Sequence, residues 1–294
     1  MLQFRYDTTG RWYKGNLHAH TQASDGGLSL GETAALYAQA GFDFLGVTDH
    51  WVAYDSSADK EKRPLVLLDG IELHGDDGQG AFYHVVCLGD CRGLTHEMGL
   101  VSALETARAR GALLILAHPF WTGNSLDEAA RWNFHGVEVY NHVCHWLNGK
   151  GDSGVHWNAL LGRNPDVLGP AVDDCHLCPE HPLWNGGWVM VNAAQLTRDG
   201  IMAALRAGNF YSSQGPSFDS IACDGHNLHL KTSPVRFVRL AGPGWLGNRV
   251  RAEDEDPITE VVLPFPSDWP YVYAEIEDAA GRCAWTNTLA RPTS

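Results

Sequence analysis

Between residues 14 and 215, short apolar runs alternate with segments of helical periodicity. The runs cover residues 15–18, 42–48, 65–72, 82–88, 112–117, 136–140, 167–172 and 187–191. Most are continuously apolar, which predicts strands buried on both faces. Several of the segments between them read as helices. Ser29 with Glu32, and Ser125 with Glu128, have capping-box spacing. There the serine side chain accepts from the third helical amide, and the glutamate accepts from the serine amide. Gly41, Gly111 and Gly208 fall where helices stop. Such alternation predicts an α/β fold built on a parallel sheet. From residue 219 the pattern changes to short alternating runs at 235–240, 259–263 and 271–276, split by Gly, Pro and Asp. The expected organisation is an α/β unit over residues 1–218 and a small antiparallel β-rich unit over 219–294.

Bulk properties narrow the function. With 294 residues, 44% of them hydrophobic, the chain can bury a substantial core. Its formal charge of −14 argues against a broad nucleic-acid-binding face. It does not exclude a small anionic substrate, because bound cations can reverse the charge of a pocket. No run approaches the roughly 20 apolar residues that cross a bilayer. Residues 1–15 contain Arg5, Asp7, Arg11 and Lys14 and do not read as a signal peptide. Seven cysteines, an odd number without a disulfide framework, suggest a reducing cytoplasm.

The chain has 15 histidines, and many lie at the ends of the apolar runs beside Asp or Glu. His18 and His20 are two residues apart, so in an extended segment both rings face one way. Asp25 follows in a turn. His50 ends the second run after Asp49, and Glu72 ends the third. His84 lies in the fourth, His118 ends the fifth, and Glu138 lies in the sixth. Asp173, Asp174 and His176 follow the seventh. In a parallel α/β fold the C-terminal strand ends gather on one face, where active sites form. Charges gathered in a cleft need compensation, and divalent cations supply it.

These segments together resemble the PHP (polymerase and histidinol phosphatase) superfamily. The stretches WYKGNLHAHTQASDGGLSLGE and GFDFLGVTDHW resemble in particular its CehA/McbA-type metallohydrolases, as do GVEVYN, GKGDSGVHW and AVDDCH. The motifs span residues 12–215 in order, with a weaker likeness in AGRCAWTN near the C-terminus. The resemblance implies a distorted seven-stranded (β/α) barrel with a C-terminal β extension, and two or three divalent ions (Zn, Mn or Fe). It implies that His18, His20, Glu72 and Asp174 hold one ion. Glu72, His84 and His118 would hold a second, with Glu72 shared. Asp25, His50 and His176 would hold a third. No ligand of that set is missing.

The expected activity is metal-dependent hydrolysis. A water bridging two such ions becomes a nucleophile near neutral pH. Glu72 then has the central role, with His50 or His176 as proton donor. The superfamily at large implies a phosphoesterase acting on a small phosphorylated metabolite. The CehA/McbA branch implies hydrolysis of carboxylic, carbamate or amide bonds instead. A non-catalytic metal-binding scaffold is the alternative of another class. Asn141, His142 and His145 are the expected substrate contacts. Arg131 and Arg163 are the available phosphate clamps. His74 reads as peripheral, and Asp49 as the group that orients a ligand imidazole. Cys175 and Cys178 lack the second cysteine pair of a structural zinc site.

Overall fold

The computed structural model describes residues 2–253 and 256–292. The chain opens with β1 (Leu2–Phe4), β2 (Arg11–Asn16), α1 (Leu30–Gln39), β3 (Phe44–Gly46), β4 (Val66–Leu68), β5 (Gly70–Asp76) and β6 (Phe82–Leu88). A 3-10 turn at His96–Met98 leads into α2 (Leu100–Ala109), β7 (Leu113–Leu116), α3 (Pro119–Thr122) and α4 (Leu126–Arg131). Then come β8 (Gly136–Val137), β9 (Tyr140–Asn141), α5 (His142–Asn148), α6 (Gly154–Leu161) and β10 (Ala171–Val172). They are followed by β11 (Trp188–Ala193), α7 (Arg198–Ala207) and β12 (Phe210–Ser213). The remaining strands are β13 (Phe218–Cys223), β14 (Asn227–Val235), β15 (Phe237–Ala241), β16 (Gly247–Arg251), β17 (Ile258–Pro264), β18 (Tyr273–Glu277), β19 (Cys283–Thr286) and β20 (Ala290–Pro292).

Local chemistry explains several boundaries. Both capping boxes form: Ser29 N donates to Glu32 at 2.9 Å, and Ser125 N donates to Glu128 at 2.7 Å. Helix α7 stops at Gly208, whose φ of 74° suits glycine. Helix α2 buries Leu100, Ala103, Leu104 and Ala107. These pack with Leu73, Tyr83, Val85 and Leu116 of the sheet below. Each large apolar side chain buried there contributes roughly 1.5–3 kcal/mol.

The sheet is only partly parallel. β2, β3 and β4 run parallel, as do β7 with β8 and β9 with β10. β6 is antiparallel to both β5 and β7. Among the described residues the ladders do not close into the expected seven-stranded barrel. Single bridges, His50↔Glu72, Gly136↔Leu168 and Ala19↔Cys175, join segments whose ladders have stopped. Trp51 and Asp174 adopt positive φ (54° and 57°), so the chain leaves extended geometry there.

The C-terminal part is antiparallel β, as its alternation predicts. It is joined to the rest through hydrogen bonds. β11 pairs with β2 on one side and β12 on the other, and β19, β18, β15 and β16 continue that sheet to nine strands. β13, β14 and β17 form a separate three-stranded sheet, and β1 pairs with β20. Tyr273 on β18 packs against Trp157 of α6, with ring centroids 4.8 Å apart and the rings tilted by 50°. Among the described residues no helix is long and apolar enough to cross a membrane.

Candidate metal centre

Segments that follow β2, β3, β7 and β10, together with Glu72 within β5 and His84 within β6, bring the nine histidine and carboxylate candidates into one cluster. His18 and His20 follow β2, on a segment that the Ala19↔Cys175 bridge aligns with the end of β10. His20 N donates to Cys175 O at 2.9 Å, and Asp174 N donates to His18 O at 3.1 Å. These bonds place Asp174 beside both rings. The His50↔Glu72 bridge does the same between the ends of β3 and β5.

Glu72 is the centre of the arrangement. It is 1% exposed and meets five imidazoles. Its Oε2 lies 3.2, 3.3 and 3.0 Å from nitrogens of His18, His20 and His50. Its Oε1 lies 2.8 Å from His84 and 3.5 Å from His118. Asp174 Oδ1 lies 3.2 and 3.1 Å from Nε2 of His18 and His20. Asp25 is half-exposed at the rim, 3.4 Å from both His20 and His176 and 3.7 Å from His50.

The donor set suits divalent metal ions. Tetrahedral Zn–N bonds of about 2.0–2.1 Å place ligand atoms about 3.3 Å apart, close to the spacings in this cluster. Donor atoms of three groups fall within 4.8 Å of one another: His18, His20 and Glu72; Glu72, His84 and His118; and His20, Asp25, His50 and His176. These groups overlap the three sets implied by the resemblance without matching them: His20 falls in two groups, and Asp174 groups with His118 and Cys144. Backbone strain is concentrated here. His118 and Asp174 adopt positive φ, as do Trp51 and Leu177 next to His50 and His176.

The carboxylates and imidazoles of the cluster shift one another's titration. Burial lowers the pKa of His20, but hydrogen bonds and charges from Asp174 and Glu72 outweigh it and raise the ring to about 9. His18 rises by the same balance, with Glu138 adding to it. Burial would raise Glu72 and Asp174, yet the surrounding imidazoles hold both well below the usual carboxylate range. Such opposed shifts in one buried cleft make it the candidate functional site.

A further layer orients these groups. Glu138 Oε1 accepts from His18 Nδ1 at 2.7 Å, and its Oε2 accepts from the amide of His118 and from Asn141 Nδ2. His176 Nδ1 donates to Asp174 O at 2.9 Å, leaving Nε2 toward Asp25. Asp49 does not orient an imidazole. It accepts from the Thr21 amide, the Thr21 hydroxyl and Ser24, pinning the turn that carries Asp25. Asp173 accepts from Tyr37 and from the amides of Asn185, Gly186 and Gly187, so it anchors a loop.

The cluster opens into a cavity of about 190 Å³, walled by Trp121, Val143, Cys144, Leu147 and His181 in addition to seven of the nine candidates. Asn141, His142 and His145, the expected substrate contacts, do not line it. Asn141 spends its side chain on Glu138, Asp174 and the Cys144 amide. His142 bonds Tyr140, and His145 packs near the same ring. The cause is that α5 starts at His142, which points Val143, Cys144 and Leu147 inward. The pattern of the HVCHWL segment carries this only once its helix is known.

Arg131 and Arg163 do not face the cavity either. Arg131 pairs with Asp77, and Arg163 with Asp127. A larger cavity of about 540 Å³ holds none of the candidate ligands. His74, expected to be peripheral, lies with Nδ1 3.1 Å from Nδ1 of His50. Burial, with His50 and His84 beside it, pushes its pKa down to about 4.

Three solved structures are similar to this chain to different extents. A two-domain protein from Bacteroides vulgatus, containing a predicted PHP-like metal-dependent phosphoesterase, matches 98% of this chain with 98% of its own, at 14% identity and TM-score 0.54. A candidate metal-dependent phosphoesterase from Bifidobacterium adolescentis matches 66% of this chain with 96% of its own, at 12% identity and TM-score 0.42. An amidohydrolase from Chromobacterium violaceum, with sulfate bound and no metal, matches 57% of this chain with 56% of its own, at 24% identity and TM-score 0.25. No family model and no curated protein matches the sequence. The full-length similarity to the Bacteroides vulgatus protein shows that the chain shares its fold.

Proposed function

We propose that this protein is a metal-dependent hydrolase that cleaves a phosphoester bond in a small substrate. The observation that carries the reading is the meeting of five imidazoles on buried Glu72, with Asp174 beside them. Two or three divalent ions (Zn, Mn or Fe) held there would supply a nucleophilic water at neutral pH and stabilise negative charge on the reacting oxygens. His18, His20, Glu72 and Asp174 would hold one ion, with Glu72 shared with His84 and His118. Asp25, His50 and His176 would hold another. Glu138 keeps Nε2 of His18 directed at the carboxylates. Trp121, Val143 and Leu147 wall the cavity and limit the water around the reacting bond. The small cavity and the net charge of −14 argue for a small molecule and against nucleic acid. All seven cysteines are free, which supports a reducing compartment.

A second reading has one observation in its favour. Among the residues lining the cavity there is no Lys or Arg. Phosphate recognition would then fall on the metal ions alone, whereas a carboxylic, carbamate or amide bond needs no cationic clamp. The CehA/McbA-like resemblance points the same way. Paired assays with Zn, Mn and Fe separate the two. The phosphoesterase reading expects turnover of a phosphomonoester or phosphodiester panel, and turnover of only an aryl carbamate and ester panel would overturn it.

A further inference from the structure

We propose that His50, His74 and His84 form an additional divalent-cation position on the solvent side of Glu72, beyond the nine-residue set. It rests on reading the neighbouring groups as a metal centre. The strand pairing builds it. His74 and His84 are direct partners across antiparallel β5 and β6, so their side chains share one face of the hairpin. Glu72, two residues before His74, projects to the same face, and the His50↔Glu72 bridge brings the third ring alongside.

The three rings converge. One nitrogen from each lies within 4.8 Å of the others. Nδ1 of His74 and Nδ1 of His50 are 3.1 Å apart, close to the separation of two ligands on one tetrahedral ion. His74 and His84 stack with centroids 5.2 Å apart. His50 can serve both sides as an imidazolate, its ring proton released to solvent, because its other nitrogen, Nε2, faces Asp25.

The donor chemistry predicts the ion. Each of the three inner groups includes a carboxylate, whereas this one offers only imidazoles. Imidazole donors suit Zn, Cu, Fe or Ni ions, and oxygen donors suit Mn²⁺ or Mg²⁺. The outer position therefore takes Zn²⁺ and not Mn²⁺.

The test counts ions. The full chain, stripped with a chelator, is reloaded by dialysis with Zn²⁺ or with Mn²⁺, and bound metal is measured by elemental analysis. Wild type is expected to hold one more equivalent of Zn²⁺ than His74→Ala or His74→Gln. Mn²⁺ content is expected to be equal in all three. Circular dichroism checks that both variants are folded, and Co²⁺ absorption spectra give a second readout that does not depend on turnover. Equal Zn²⁺ content and affinity in wild type and both variants would overturn the outer position. If His20→Ala still loses Zn²⁺ in that case, the inner metal centre stands alone. If wild type takes up no Zn²⁺, both readings fall together.

Discussion

Nδ1 of His18 donates to Glu138 Oε1 at 2.7 Å, and that bond decides which nitrogen of His18 faces the central carboxylates. With Nδ1 occupied, Nε2 is directed at Glu72 and Asp174, 3.2 Å from each. Both partners are fully buried. A carboxylate behind a ligand imidazole fixes its tautomer and raises its basicity.

Glu138→Gln is therefore expected to weaken metal binding by about 10- to 100-fold. The glutamate accepts from His18, the His118 amide and Asn141 through two oxygens, and glutamine offers one. Competition with a metallochromic chelator measures the change. An unaltered affinity would show that His18 is oriented by packing alone.

Glu72→Ala and His20→Ala are expected to lose bound metal and to reduce hydrolysis at least about 100-fold, while far-UV circular dichroism stays the same. Elemental analysis and turnover of whichever ester panel the wild type accepts are the measurements. Full activity in either variant would remove the cluster from the reaction.

The metal-free protein should respond to pH in two directions. His20 has a folded pKa raised to about 9. Its contribution is fully present below its unfolded pKa of roughly 6.5 and is lost as pH rises through 9. Glu72 and Asp174 are depressed. Their contribution is present above the ordinary carboxylate range and is lost on acidification. Melting temperatures of chelator-treated protein should thus fall on both sides of a maximum between about pH 5 and 6.5. Metal must displace the protons on His18 and His20, so apparent affinity should rise from pH 6 to pH 9. Calorimetry in buffers of different ionisation enthalpy would detect the released protons.

Arg131 offers a contrast between stability and catalysis. Asp77 closes the β5–β6 turn by accepting from the amides of Gln79 and Ala81, and Arg131 pairs with it. Asp77→Ala is expected to cost about 2–3 kcal/mol by leaving these donors unmatched. Arg131→Ala should lower the melting temperature and leave KM unchanged. A raised KM with unchanged stability would restore Arg131 as a substrate clamp.

Much of the site is legible along the chain because its ligand types sit at strand ends. His18 and His20 share a face through the two-residue period of extended chain, and the capping boxes at Ser29 and Ser125 announce their helices. Less legible are contacts between residues far apart in sequence. Nothing near Asn141 reveals that its side chain is consumed by Glu138 and Asp174. Nothing near Asp49 reveals that it holds the Asp25 turn. The barrel was implied by the resemblance and the parallel sheet by alternation, which reports elements and not the antiparallel run of β5, β6 and β7.

By itself, the sequence determined that imidazoles and carboxylates end successive strands, and that a β-rich stretch follows the last helix. Only the tertiary structure decided that five of those imidazoles meet on Glu72, that His74 joins His50, and that α5 turns Cys144 and Leu147 into the cavity. The reason is physical. Residue spacing sets where a side chain points relative to its own backbone, whereas strand register and single bridges between distant segments set which atoms meet.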